Sequence, residues 1–263
     1  MPNISGPSDG PVAITGAAGF VGAHLVKNLV EHGYTVHACV RDTGREDKMV
    51  YLHDIASKGP GNVKFFSCDL YKAAEGEYDE AFAGCSVVFH VAADIGSDAA
   101  TYGRITPLKM YEGIVDMTAS ILESCRKAGT VKRVIYTSSV AAILGQGAPD
   151  RPDDYVYTED DWCGGTYETL EERYTNEDGE MLWTNEKQAY SKGKLDAERV
   201  CNAFGEDTGI DVISICPFHI MGPLLGVPHD TTWQNRLGMA LKGEREMEAN
   251  GTIKWNIIDV RDI

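Results

Sequence analysis

Short hydrophobic runs alternate along the chain with segments of helical periodicity. The first run, Val12–Thr15, is followed by a helix predicted over residues 20–32, in which Val21, Leu25 and Leu29 have helical spacing. Further strands are predicted over residues 35–40, 63–68, 87–91, 134–139 and 212–216, and further long helices over about 107–127 and 190–204. Six short strands that alternate with helices predict an α/β fold with a doubly wound parallel sheet.

One acidic segment interrupts this pattern. Residues 150–186 show little apolar periodicity and hold eleven Asp or Glu residues between Asp153 and Glu180. We interpret the segment as a long surface excursion, which is either a solvated loop or a wall of the substrate cleft, since long loops in compact domains are often functional. The strands place the main domain at residues 10–216 and leave residues 217–263 as a smaller C-terminal region.

The composition argues against several classes of partner. With 263 residues, of which 43% are hydrophobic, the chain is long enough for a soluble domain with a large core. Its formal net charge of -16 argues against nucleic acid, which is bound by clustered Lys and Arg, and against an anionic membrane surface. Seven cysteines without C-x-x-C spacing predict free thiols, and no His or Cys pair has the spacing of a metal site. The N-terminus has no apolar signal region, so we expect a cytoplasmic protein without a membrane segment.

A glycine-rich turn follows the first strand. Gly16, Gly19 and Gly22 lie in the segment TGAAGFVG, between that strand and the helix that begins near Phe20 and Val21. Glycines at these positions let the backbone turn tightly and approach a pyrophosphate, while the helix N-terminus offers N–H groups and a positive dipole to the anion. Because the pattern follows a strand and opens a helix, it predicts a dinucleotide site.

The end of the second strand bears on the choice of dinucleotide. Sites for NAD usually hold an Asp or Glu here that bonds the ribose 2′-hydroxyl, whereas this chain has Arg41 followed by Asp42. The guanidinium can pair with a 2′-phosphate, and Lys48 lies within reach of the same group. We therefore expect NADP(H) to be preferred, although Asp42 leaves NAD(H) possible and Arg41 has the alternative of a solvated surface residue. Asp69, after the third strand, either accepts from the adenine amino group or caps the following turn.

A tyrosine and a lysine stand four residues apart on the predicted helix after the acidic segment. Tyr190 and Lys194 share one helix face, and Ser138 and Ser139 end the fifth strand. A free tyrosine has a pKa of roughly 10, and we expect the ammonium of Lys194 to lower the pKa of Tyr190. With a serine holding the substrate oxygen, Tyr190 would donate a proton while a hydride moves from nicotinamide to a carbonyl.

Five motifs stand in order along the chain: TGAAGFVG, HVAA (90–93), YTSS (136–139), YSKGK (190–194) and CPFHIMGP (216–223). They resemble the motifs of the extended short-chain dehydrogenase/reductases. Within that family the chain is similar to the dihydroflavonol-4-reductase-like reductases and the NAD-dependent epimerase/dehydratase branch. That similarity rests on GYTVHACVRD (33–42), LKMYEG (108–113) and YTEDDW (157–162). The resemblance runs from residue 12 to the end and implies a Rossmann domain with a small C-terminal substrate domain.

The resemblance also implies roles for individual residues. Ser139, Tyr190 and Lys194 would form the catalytic set, and Lys194 would also hold the nicotinamide ribose. Ser139 is preferred over Ser138 because the second serine of the motif usually acts. The implied cofactor site further includes Phe20, Val21, Leu70, Val91, Ala92, Ala93 and Pro217.

Several positions depart from the family pattern. Ile114 stands where many members have an asparagine, so a proton relay through that position is not expected. Cys216 replaces the usual arginine before the proline of the sixth-strand motif, and Phe218 and His219 replace smaller residues. The chain ends at Ile263, where the family continues, so we expect part of the substrate domain to be missing.

The leading interpretation is an NADPH-dependent reductase of a small or medium aldehyde or ketone, acting on a small-molecule substrate as a monomer or homodimer. A nucleotide-sugar epimerase or dehydratase with tightly bound NAD uses the same catalytic set, although Arg41 counts against NAD. A dinucleotide-binding regulatory protein without turnover is the third alternative. His219 and His229 lie near the predicted cleft and are either substrate contacts or structural side chains.

Overall fold

Six parallel strands form the central sheet of this computed structural model, which describes residues 6–93, 107–145, 150–152, 154–158, 160–163, 186–226, 233–244 and 256–263. The strands are β1 (Val12–Thr15), β2 (Thr35–Val40), β3 (Asn62–Ser67), β4 (Val87–His90), β5 (Arg133–Thr137) and β6 (Asp211–Ile215). Their spatial order is β3-β2-β1-β4-β5-β6. This is the order of a doubly wound Rossmann sheet, and the predicted fold class is confirmed.

Helices cover both faces of the sheet. They are α1 (Phe20–Glu31), α2 (Glu46–Ala56), α3 (Asp79–Phe82), α4 (Pro107–Ala128), α5 (Ala141–Leu144), α6 (Glu186–Thr208) and α7 (Trp233–Leu241), with 3-10 turns at Pro7–Asp9, Leu70–Glu75 and Val260–Asp262. Strand β1 is buried on both faces: Val12 and Ile14 pack into the cluster formed with α1 and α2, whereas Ala13 packs into the cluster formed with α3, α4 and α6. Such burial explains why β1 is a continuous apolar run.

The sequence order of the strands reverses between β1 and β4. Thr15, the last residue of β1, pairs with Cys39 of β2 on one side and with His90 of β4 on the other. From β1 the chain continues to β2 and β3 on one side, and it then crosses to β4 on the other side of β1. This reversal opens a crevice at the carboxyl ends of β1 and β4. In open α/β sheets, ligands bind in this crevice.

Some predicted boundaries differ from the observed ones. Strand β5 ends at Thr137, so Ser138 and Ser139 lie in the loop before α5 rather than on the strand. Helix α6 begins about one turn earlier than predicted, at Glu186. In α1 the buried apolar residues include Val26, Leu29 and Val30, whereas the predicted Val21 and Leu25 are partly exposed, because the helix turns its small residues towards the glycine turn.

The C-terminal region adds a second, smaller sheet. Strands β7 (His219–Met221) and β8 (Ile257–Asp259) pair in parallel, and His24 of α1 lies 2.8 Å from the carbonyl oxygen of Pro223 just after β7. This pairing was not predicted from the sequence. Most of the acidic excursion lies outside the described residues. In the parts that are described, no helix is long and apolar enough to cross a bilayer.

Candidate active site

The glycine turn after β1 has no room for larger side chains. Gly16 has φ +68°, and a Cβ there would lie 3.0 Å from Cα of Ala92. A Cβ on Gly22 would lie 2.2 Å from the carbonyl oxygen of Gly16. Gly19 is exposed at the start of α1, beside the partly exposed Phe20 and Val21. The turn therefore keeps its backbone bare next to the N-terminus of a helix, and this is the arrangement that a dinucleotide pyrophosphate requires.

The end of β2 presents Arg41 to the surface, with the partly buried Lys48 in the first half of α2. Asp42 is engaged in its own turn, where its Oδ1 accepts a hydrogen bond of 2.8 Å from the N–H of Gly44. The loop is tied to β3 through Thr43, whose N–H donates to Ser67 Oγ at 3.1 Å. Asp42 thus stabilises the turn through one carboxylate oxygen, and Arg41 lies exposed beside it at the same strand end.

Asp69 caps the turn that follows it, which is one of the two roles that the sequence left open for this residue. Its Oδ1 accepts from the N–H of Tyr71 at 3.1 Å and so caps the 3-10 turn Leu70–Glu75. Asp69 is partly exposed. The contact between its second carboxylate oxygen and the adenine amino group stays a prediction. The buried Leu70 follows directly and lines the crevice.

A buried hydrogen-bond network joins the two strands at the crevice. Thr15 Oγ1 accepts from the N–H groups of Val91 at 3.1 Å and Ala92 at 3.0 Å, and it lies 2.9 Å from His90 Nδ1. Since Thr15 Oγ1 accepts twice, its own proton goes to His90 Nδ1, and the neutral ring carries its proton on Nε2. That N–H donates to Thr118 Oγ1 at 3.2 Å, and Thr118 donates to Ile114 O at 2.7 Å.

The imidazole in this network stays neutral. Burial and the nearby charge of Lys194 lower the pKa of His90 to about 3. The neutral ring fixes the orientation of the Thr15 hydroxyl, and Thr15 Oγ1 holds the N–H groups of Val91 and Ala92, two of the predicted cofactor residues. His90 and Thr15 therefore act on the cofactor crevice through the main chain that they hold.

A small cavity opens at this point. It is lined by residues of four helices and strands, one 3-10 turn and one loop: Leu70, His90, Ala92, Ala93, Gly113, Ile114, Met117, Thr118, Tyr136 and Lys194. The cavity brings predicted cofactor residues from the first half of the chain together with Lys194 of α6. Ile114 is buried on its wall and presents an aliphatic side chain, so no polar relay passes through this position.

The predicted catalytic residues meet at the edge of the crevice. Tyr190 lies in the first turns of α6, partly exposed, and the nearby hydroxyl of Ser139 contributes to lowering its pKa. Ser139 Oγ also accepts from the N–H of Ala141 at 3.2 Å. Lys194 lies one turn further along α6 and is almost completely buried, with its Nζ donating to Thr137 O at 2.8 Å.

The pKa of Tyr190 is shifted in the direction opposite to the one that the sequence predicted. Burial raises the pKa of Tyr190, and the interaction with Ser139 lowers it only in part. The predicted lowering of the Tyr190 pKa by Lys194 was wrong for this arrangement, because Nζ is directed at Thr137 O and lies 4.9 Å over the ring of Tyr136. Burial also lowers the pKa of Lys194, to about 8.

The remaining predicted positions lie around the same edge. Pro217 is buried, and its carbonyl oxygen accepts from the N–H of Val140 at 3.1 Å. Cys216 is partly exposed, and its Sγ donates to Glu198 Oε1 at 3.4 Å. His219 packs edge-on against Trp233 with 4.4 Å between ring centroids, and its Nδ1 lies 3.1 Å from Asn256 O, which favours the structural role. His229 lies outside the described residues.

Sequence reasoning missed two groups in this site. His90 stood inside the quoted HVAA motif, but its role depends on a pairing between β1 and β4 that no local pattern reveals. Tyr190, Lys194 and Glu198 are spaced four residues apart. This spacing places all three on one face of a helix, so the sequence did contain a signal for Glu198.

Comparisons with known proteins agree with this geometry. The model of the NAD-dependent epimerase/dehydratase family matches residues 12–263. A dihydroflavonol 4-reductase of Hordeum vulgare is 35% identical over 224 residues, which are 83% of this chain and 56% of that protein. Tetraketide alpha-pyrone reductase 1 of Arabidopsis thaliana is 31% identical over 240 residues, 90% of this chain and 65% of that protein.

Solved structures show the same fold. The crystal structure of vestitone reductase from alfalfa superimposes with a TM-score of 0.66 at 26% identity, covering 96% of this chain and 70% of that one. The chain spans little more than half the length of the barley reductase.

Proposed function

The chain belongs to the NAD-dependent epimerase/dehydratase family, and on that basis we propose that it is an NADPH-dependent reductase that converts an aldehyde or ketone into an alcohol. The observation that carries the proposal is the meeting of Ser139, Tyr190 and Lys194 at the carboxyl edge of the sheet, beside the glycine turn. The edge combines a partly exposed phenol, a nearby hydroxyl that helps to lower its pKa and a buried ammonium.

The glycine turn fits a dinucleotide, and residues of this chain can be assigned to each part of that cofactor. Gly16, Gly19 and Gly22 would hold the pyrophosphate, with Phe20 and Val21 at the helix start. Arg41 and Lys48 would hold the 2′-phosphate of NADP(H), a preference that the engagement of Asp42 with Gly44 supports. The remaining positions that would line the cofactor are Asp69, Leu70, Val91, Ala92, Ala93, Lys194 and Pro217. When bound, the cofactor supplies a hydride for transfer.

Three side chains would hold the substrate and the cofactor and transfer the proton. Because burial raises the pKa of Tyr190, the phenol is protonated at neutral pH, and this is the form that donates a proton to a carbonyl oxygen during reduction. Ser139 would hold the carbonyl oxygen next to that phenol. Lys194 would hold the nicotinamide ribose, and its charge would act on the phenolate from a distance rather than by direct contact, because Nζ donates to Thr137 O.

The relatives support the substrate class. Dihydroflavonol 4-reductase and tetraketide alpha-pyrone reductase are named as reductases of organic carbonyl compounds. We propose a small or medium aldehyde or ketone for this chain, bound in a cleft to which residues 217–263 contribute. The acidic excursion of residues 150–186 lies mostly outside the described residues, and its two interpretations, a solvated loop or a wall of this cleft, both stay open.

The proposal is tested by NADPH oxidation against a panel of aldehydes and ketones, followed at the nicotinamide absorbance. Wild-type protein should oxidise NADPH with at least one carbonyl, and Tyr190→Phe should lower kcat by about 10²–10⁴-fold, the usual contribution of a positioned proton donor. Tyr34→Phe is the matched control, because Tyr34 precedes β2 at the opposite edge of the sheet. Equal rates for Tyr190→Phe and wild type would contradict the assignment.

The family model also covers epimerases and dehydratases, which makes a nucleotide-sugar epimerase the second candidate. The same tyrosine and lysine would then serve a transient oxidation with retained NAD. Protein that purifies with tightly bound NAD and converts nucleotide sugars without net NADPH oxidation would favour it. The exposed Arg41 at the end of β2 favours the reductase.

A further inference from the structure

A buried carboxyl group lies behind the predicted catalytic pair. Glu198 stands on α6 one turn after Lys194 and two turns after Tyr190, and only 7% of its surface is exposed. Its Oε1 accepts from Cys216 Sγ at the end of β6. Charged side chains are rarely buried to this extent unless they are paired, so the position of Glu198 calls for a functional or structural reason.

Polar side chains from β6 and from the loop after β5 lie next to the carboxyl group of Glu198. The hydroxyls of Ser138 after β5 and Ser214 in β6 interact with the same carboxyl group and help to lower its pKa. Among the described residues, however, neither hydroxyl has a partner in good hydrogen-bond geometry, and neither does Glu198 Oε2. Polar groups with this capacity are arranged to stabilise a negative charge, and a bridging water would complete their hydrogen bonds.

We propose that Glu198 is a positioning residue that supplies the counter-charge for Lys194 and so keeps the lysine protonated beside Tyr190. This inference rests on the proposed function, because it assumes that the protonated lysine serves the proton transfer. Glu198 itself does not touch the reaction cleft. It acts through Lys194.

The charge balance around Lys194 carries the argument. The titratable groups that interact with it are Glu198 and Cys201 of α6, Tyr136 of β5, Cys216 after β6 and His90 of β4, and Tyr190 lies one turn before it on α6. Burial raises the pKa of each thiol to about 12 and also raises the pKa of both phenols, while His90 has a pKa of about 3. All of these groups are neutral at pH 7. Among the described residues that face Lys194, Glu198 is the acid that can carry a negative charge there.

Several neighbours of Glu198 favour its ionised form. Burial raises the pKa of its carboxyl group above the ordinary value, and the hydrogen bond from Cys216, the hydroxyls of Ser138 and Ser214 and the charge of Lys194 offset part of that rise. A buried ammonium and a buried carboxylate stabilise each other's charged forms, because charges interact more strongly where water is excluded. Removing the carboxylate should therefore make Lys194 release its proton at lower pH.

A titration of Lys194 tests this without any assay of turnover. Protein labelled with ¹³C and ¹⁵N in lysine is titrated by NMR, and the Lys194 signal is assigned by its loss in Lys194→Met. The midpoint should fall by about one pH unit in Glu198→Gln, the size of effect expected from losing a nearby opposite charge. Glu206→Gln, an exposed glutamate on the same helix, is the matched control and should leave the midpoint unchanged. An unchanged midpoint in Glu198→Gln would overturn the proposal.

A second measurement covers the case in which Glu198→Gln does not fold. In wild-type protein labelled at the glutamate carboxyl carbon, Glu198 should be ionised at pH 7, below the pH at which Lys194 loses its proton. A carboxyl group that is still protonated at pH 7 would also overturn the proposal.

The reductase assay then separates this inference from the proposed function. If turnover is found, the alkaline fall of kcat should move to lower pH in Glu198→Gln, while KM for the carbonyl changes little. If no carbonyl is reduced by wild-type protein, the proposed function fails, but the two NMR titrations still decide whether Glu198 balances the charge of Lys194.

Discussion

The hydroxyl group of Thr15 lies 2.9 Å from Nδ1 of His90, and this contact joins the two strands that flank the cofactor crevice. The same oxygen accepts the N–H groups of Val91 and Ala92. One side chain at the end of β1 thus fixes the ring orientation of His90 and the path of the main chain after β4. The crevice owes its shape to this threonine as well as to the glycines that follow it.

Replacing Thr15 by valine should destabilise the fold and weaken cofactor binding. The change keeps the shape of the side chain but leaves two buried N–H groups and His90 Nδ1 without their partner, at a cost of about 1–3 kcal/mol for each unsatisfied group. The free energy of unfolding from urea titrations measures the first effect, and calorimetry with NADPH measures the second. Thr130→Val removes one partly buried hydrogen bond, to Cys85 O at the other edge of the sheet, and should cost less and spare NADPH affinity. Equal losses in both variants would argue against a special role for Thr15.

Gly22→Ala should abolish the cofactor site. The new Cβ would lie 2.2 Å from Gly16 O and 2.9 Å from Cα of Ala17, so the glycine turn and the start of α1 must move apart. We expect loss of measurable NADPH binding together with a lower midpoint of thermal unfolding. In Gly238→Ala, within α7, the added Cβ meets no atom within 4 Å, and the change should leave binding intact and be neutral or stabilising by up to about 1 kcal/mol. Normal NADPH affinity in Gly22→Ala would refute the placement of the pyrophosphate.

Arg41 should decide between the two dinucleotides. Losing a charged hydrogen-bonding partner of the 2′-phosphate costs about 1.5–3 kcal/mol, so Arg41→Ala should weaken NADPH binding by roughly 10–100-fold and leave NADH binding nearly unchanged. Arg45→Ala is the matched control, because Arg45 is exposed in the same loop and forms an ion pair of 2.9 Å with Asp47. A parallel loss of affinity for both cofactors in Arg41→Ala would contradict the predicted preference.

The buried lysine should leave a signature in the pH dependence of stability. The pKa of Lys194 is lowered to about 8 in the folded protein, from 10.5 for the free side chain, so between these values the unfolded chain binds more protons. The contribution of Lys194 to the free energy of unfolding therefore rises as the pH increases from about 8 to 10.5. Measured by urea unfolding, wild-type protein should gain stability relative to Lys194→Met across this window. A difference that does not change with pH would show that Lys194 titrates normally.

The sequence predicted the parts of the site that depend on local patterns. The strand–glycine–helix unit at Gly16 and the spacing of Tyr190 and Lys194 are encoded within a few residues, and the alternation of strands implied the sheet. The contact between Thr15 and His90 depends on the neighbouring positions of β1 and β4, which are far apart in the chain. The pKa of Tyr190 depends on burial and on the direction of Lys194 Nζ, and neither quantity can be read from the spacing of two residues on a helix. The pairing of β7 with β8 likewise joins distant segments.

The central claim is that Tyr190 donates the proton while NADPH reduces a carbonyl compound. The most direct test uses the carbonyl that gives the fastest NADPH oxidation in the panel, supplied with NADPH carrying deuterium at the transferable position, and analyses the product by mass spectrometry. The account predicts an alcohol with one deuterium at the former carbonyl carbon from wild type and Tyr34→Phe, and a yield about 10²–10⁴-fold lower from Tyr190→Phe. Undiminished formation of the deuterated alcohol by Tyr190→Phe would contradict it.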